Sequence, residues 1–123
     1  MQKISRRTLA ISVGVAMLLP LTRKAEAHAI LLESTPAIDG SVPVGPNTVH
    51  LRYNSRIDRA RSRLILTRPD KSTEILPIAI AGGDDVLTSQ IDLAAGRYNI
   101  RWQVLAVDGH ITRGDIPFTV EGR

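Results

Sequence analysis

The chain contains no cysteine, and its two methionines are Met1 and Met17. Without cysteine there can be no disulfide staple, thiolate zinc site, iron–sulfur cluster or blue-copper centre. Any metal site must therefore be assembled from nitrogen and oxygen. Aromatic residues are also scarce, at one Trp, two Tyr and one Phe in 123 residues. A core of this size uses such rings first, leaving few to stack on a sugar or a base. Long apolar runs are missing too. The longest such stretch, 8–21, is interrupted by Gly14 and Pro20, and a spanning helix needs roughly 20 apolar residues.

That stretch instead reads as the core of an export signal. Lys3, Arg6 and Arg7 precede it, and Ala25-Glu26-Ala27 supplies the small-x-small pattern of a cleavage point. We expect 1–27 to be a signal peptide and 28–123 the mature domain. Ser5-Arg6-Arg7 hints at twin-arginine export, and either route ends outside the cytoplasm.

Removing the signal changes the charge argument. The full chain has 16 Lys+Arg against 12 Asp+Glu, but the signal holds five of the bases and one of the acids, leaving 11 of each. A neutral domain gives no electrostatic case for nucleic acid or an anionic bilayer. Arg56, Arg59, Arg61 and Arg63 cluster around Asp58 with no interleaved aromatic residue, which reads as a solvated loop and strand edge.

What remains is a rhythm of short strands and turns. Val49, Leu51 and Tyr53 alternate with Thr48, His50 and Arg52, a period of two. Segments 62–67 and 73–80 flank Pro69-Asp70, a pair suited to a type I turn. Residues 86–93 read as another strand and 29–35 as the first. In the clearest strand Tyr98, Ile100, Trp102, Val104 and Ala106 share one face, with Trp102 expected in the core. Ile116, Phe118 and Val120 alternate near the C-terminus, where Pro117 suggests an edge position. About seven such strands, with no helical stripe, predict an all-β antiparallel Greek-key sandwich or barrel of immunoglobulin-like type.

Two of the three histidines have chemical context. Cleavage before His28 would make it residue one, with its α-amine and ring able to chelate one metal ion. Amine and imidazole have reference pKa values of about 7.7–8.0 and about 6.5, so both deprotonate near neutrality. Asp108-Gly109-His110 puts a carboxylate and an imidazole two residues apart, on one face of extended chain, with Gly109 free to turn tightly between them. Together these give three nitrogens and one oxygen, a tetragonal donor set that suits copper(II). Zinc can use the same ligands. His50, on the polar face of its strand, is expected to be exposed.

His28-Ala29-Ile30-Leu31, Ser34-Thr35-Pro36-Ala37, Gly40 and Pro46 resemble the start of the CopC family of periplasmic copper-binding proteins. The run from Tyr98 through Ile100, Trp102 and Val104 to Asp108-Gly109-His110, then Gly114 and Phe118, resembles its end. The resemblance implies a seven-stranded Greek-key barrel or sandwich holding one copper(II) ion through His28, Asp108 and His110. It implies a periplasmic carrier or buffer that holds copper for resistance or hands it to an inner-membrane copper transport protein, and we expect a monomer. Some family members carry a methionine-rich copper(I) segment that this mature chain lacks. Asn54-Ser55-Arg56 stands where the family often has an acidic residue followed by proline. The same residues admit two other readings: a copper-dependent oxidative enzyme of the N-terminal-histidine type, and a metal-free immunoglobulin-like interaction domain. A hydrolase triad lacks its nucleophile-elbow pattern.

Overall fold

The structure, a computed structural model, describes residues 29–122. The expected export signal and His28 lie outside those residues. Eight strands follow in order: β1 (Leu31–Thr35), β2 (Gly40–Pro43), β3 (Gly45–Tyr53), β4 (Arg63–Thr67), β5 (Thr73–Leu76), β6 (Val86–Leu93), β7 (Gly96–Leu105) and β8 (Ile111–Glu121). They form a three-stranded sheet, β1-β3-β6, and a five-stranded sheet, β2-β8-β7-β4-β5. This is the expected sandwich, with two open sheets rather than a closed barrel.

Period-two alternation sends one side of each strand inward. Val49, Leu51 and Tyr53 of β3 meet Ile100, Trp102 and Val104 of β7 and Ile116, Phe118 and Val120 of β8 in one core. The aromatic rings pair within it. Tyr98 stacks on Phe118 at a centroid distance of 5.6 Å, and Tyr53 meets Trp102 edge-on at 5.3 Å. Burial pushes the Tyr53 phenol well above its usual range.

One strand beyond the expected seven is β2, whose Gly-Ser-Val-Pro sequence offers a single inward-leaning apolar residue, Val42. It pairs parallel to β8, Gly40 to Phe118 through Pro43 to Glu121, so the domain is not wholly antiparallel. That pairing also corrects the edge position expected for Pro117, because β8 has neighbours on both sides. The proline is tolerated because the β2 ladder starts one residue later. The Pro117 carbonyl takes the amide of Asp39 at 2.6 Å in the preceding loop, and the missing amide donor faces that same loop. After β5 the chain leaves its sheet at Pro77, and Ala79 bridges to Thr88 on β6.

On the outer face of the five-stranded sheet, Arg101 grips Asp115 with two hydrogen bonds of 3.1 and 2.9 Å, and Asn99 adds a third at 3.0 Å. The Arg101 and Asn99 hydrogen bonds hold the Asp115 carboxyl below its ordinary value. A depressed carboxylate contributes stability above its unfolded-state pKa and loses it as pH falls through the native value. Asp115→Asn should therefore flatten the acid limb of a plot of melting temperature against pH, below about pH 4. An acid limb identical to wild type would show that this carboxylate contributes nothing.

Candidate metal centre

Strands β7 and β8 are joined by the turn that contains Asp108 and His110. The Gly109 amide donates to the Ala106 carbonyl and the Ala106 amide to the His110 carbonyl, both at 2.9 Å. Gly109 has φ +93° with nothing near its Cα face, the left-handed backbone that glycine adopts without strain. The Asp108 carboxylate folds back over this turn. It accepts the His110 amide at 3.1 Å on Oδ1 and meets the His110 ring Nδ1 at 2.8 Å on Oδ2. These bonds, the ring contact foremost and the amide next, hold the Asp108 carboxyl below its ordinary value.

The structure thus brings two predicted site residues together, with the His110 side chain 62% exposed. With Nδ1 turned to Asp108, metal coordination by this ring would fall to Nε2. Each carboxylate oxygen has two lone pairs, so the contacts within the turn do not exhaust Asp108 as a donor. No group of three or more His, Asp or Glu side chains able to hold a metal occurs among the described residues. His50 is distant in topology. It sits half-buried on the outer face of the three-stranded sheet between Thr35 and Thr88, less exposed than its sequence position suggested.

Residues 54–58 tie the turn to the beginning of the described chain. At one end of this segment Ile30 and Asn54 pair reciprocally. The Ile30 amide donates to Asn54 Oδ1 at 2.8 Å, and the Asn54 amide donates to the Ile30 carbonyl at 3.0 Å. Further along, Arg56 O accepts the Val107 amide at 3.3 Å, Ile57 bridges Ala106, and the Asp58 amide donates to Leu105 O at 2.8 Å. Only Ser55 separates Asn54 from Arg56, so their Cα atoms lie no more than about 7 Å apart. Ala29, only 1% exposed, is a member of the core.

Sequence reasoning missed both anchors. Asn54 appeared only as a departure from an acidic-proline pattern, whereas its amide side chain fastens the first strand. Nothing marked Ala29 as buried, because a lone alanine carries no periodicity.

Comparison with known proteins gives a consistent picture. A model of the CopC domain matches residues 31–121. Copper resistance protein C of Pseudomonas syringae pv. tomato is 28% identical over 124 residues, covering 94% of this chain and 97% of that protein. Protein YobA of Escherichia coli K12 is 26% identical over 119 residues, covering 94% and 96% respectively. The crystal structure of CopC from Methylosinus trichosporium OB3b matches with a TM-score of 0.71 at 26% identity, covering 78% of this chain and 96% of that one. PcoC from Escherichia coli, a methionine-rich copper resistance protein, matches with a TM-score of 0.60 at 25% identity, covering 77% and 100%. Its methionine richness is not shared, since Met1 and Met17 are the only methionines here.

Proposed function

We propose, from the premise that this chain belongs to the CopC family, that it is a periplasmic copper(II) carrier or buffer serving copper resistance. It binds one ion per chain and passes it to an inner-membrane copper transport protein. The observation that carries this reading is the Asp108–His110 pair, held in one hydrogen-bonded turn and stitched through residues 54–58 to the start of the first strand.

The donor chemistry fits copper(II). A carboxylate and an imidazole are in contact, and no sulfur is available to favour copper(I). Two side chains from one turn are too few for a tight site, so further ligands must come from elsewhere. His28 immediately precedes the buried Ala29, and export cleavage at Ala27 would give it a free amine beside its imidazole. Both groups bind metal only when deprotonated, so affinity should fall on acidification.

The enzyme reading has less support. All four aromatic rings lie in the core, each 6% exposed or less, which leaves no ring to present to a glycan.

The test is an electron paramagnetic resonance spectrum of copper-loaded protein whose N-terminus has been verified by mass spectrometry. A tetragonal copper(II) signal with nitrogen couplings, saturating at one ion per chain, is expected. A spectrum of aquo copper, or uptake only at many weak sites, would sink the proposal.

A further inference from the structure

At the opposite end of the sandwich from Asp108, the β4–β5 turn folds over the start of β7 and encloses a cavity of about 270 Å³. Its walls include Arg68, Lys71 and Arg97, with Pro69 and Pro117 beside them, and no carboxylate among its lining residues. The formal neutrality of 28–123 therefore hides a local concentration of positive charge.

The cavity is built by the backbone. Gly96, at φ +148°, lets Pro69 lie directly on β7, since a Cβ there would come within 2.5 Å of the proline ring. The turn closes through the Lys71 amide on Arg68 O at 2.9 Å, and Asp70 Oδ1 takes the amide and hydroxyl of Ser72 at 3.0 and 2.7 Å. Lys71 itself has φ +76°. Glycine or asparagine would occupy that conformation more easily, and strained residues of this kind gather where a side chain has a task.

Flanking carboxylates steady the two guanidinium groups from outside. Glu74 bonds Arg68, while Arg97 reaches Asp39 at 3.2 Å and Thr119 at 3.0 Å. The Lys71 side chain has no hydrogen bond or ion pair among the described residues. A tetrahedral oxyanion can accept from several such donors at once, and a guanidinium retains N–H groups for it after pairing with one carboxylate.

We propose that this cavity binds a phosphate group, either free or on an anionic phospholipid, through Lys71 and Arg97 with Arg68 behind them. The nine residues of β7 from Arg97 to Leu105 span about 30 Å, so the site does not depend on the copper reading and can be tested without metal.

The experiment follows backbone amides by NMR as inorganic phosphate is added to the purified protein, with sodium chloride at matched ionic strength as control. Saturable shifts at Lys71, Arg97 and their neighbours are expected with phosphate only. Lys71→Gly should weaken binding about tenfold, the loss of one charge-assisted hydrogen bond. The same change should raise the melting temperature, because glycine relieves the left-handed backbone, so the loss cannot be ascribed to misfolding. Cosedimentation with phosphatidylcholine vesicles, with and without phosphatidylglycerol, separates the two sources. Binding that requires phosphatidylglycerol and is lost in Lys71→Gly identifies a lipid headgroup, whereas phosphate binding without vesicle binding identifies a free phosphate. Equal shifts in chloride, or undiminished phosphate affinity in Lys71→Gly, would overturn the proposal.

Discussion

Copper(II) affinity is expected to fall at least about tenfold when His110 is replaced by alanine, since disturbing even the groups that orient a metal ligand typically costs 10–100-fold. The fold should not change. The side chain is 62% exposed, and the turn is closed by backbone bonds from Gly109 to Ala106 and from Ala106 to His110 that alanine keeps. Metal-free stability should stay within about 0.5 kcal/mol of wild type, as for most surface substitutions. A companion variant separates the turn from the N-terminus. One extra residue ahead of His28 moves the α-amine while leaving Asp108 and His110 untouched, and it too should weaken copper in a chelator competition. Retained affinity in the extended variant would remove the amine from the ligand set and leave the turn standing. Retained affinity in His110→Ala would remove the turn itself.

The two halves of that site were unequally legible in sequence. Asp108 and His110 lie two positions apart, so their contact follows from local geometry, and Gly109 between them marks the turn. The route from Ile30 through Asn54 to Val107 joins segments far apart in sequence, which no periodicity reveals. The fold shows the same division. Strands β3, β6, β7 and β8 were readable because each has several alternating apolar residues, and β6 begins and ends where expected. Strand β2 was not, because Val42 alone marks its inward side and its parallel partner lies at the other end of the chain. The cationic cavity was hidden for another reason. A charge sum over 28–123 is blind to position, and Arg68 and Lys71 come to lie beside Arg97 only because Gly96 lets the turn close over β7.

Gly114→Ala is expected to be strongly destabilising for a change of a single methyl group. Gly114 lies opposite Trp102 in the β7–β8 ladder, and the indole packs flat across the space a side chain would fill. A Cβ at 114 would stand 2.4 Å from Trp102 Cζ2, 2.5 Å from Cε2 and 2.8 Å from Nε1. The ring has little room to give way, being 6% exposed and braced edge-on by Tyr53 at 5.3 Å. Overpacking of this kind costs about 1–3 kcal/mol. In a domain of this size each kcal/mol lowers the melting temperature by roughly 4–8 °C, so a drop of about 10 °C or more is expected at the upper end of that range. The effect should be specific to the clash. Trp102→Leu would itself destabilise the core by opening a cavity, but adding Gly114→Ala to it should cost far less than adding it to wild type. A double-mutant cycle measures this coupling, and additive losses would mean that the indole does not determine which residue position 114 can hold. Because Trp102 is the only tryptophan, its fluorescence reports the displaced ring directly.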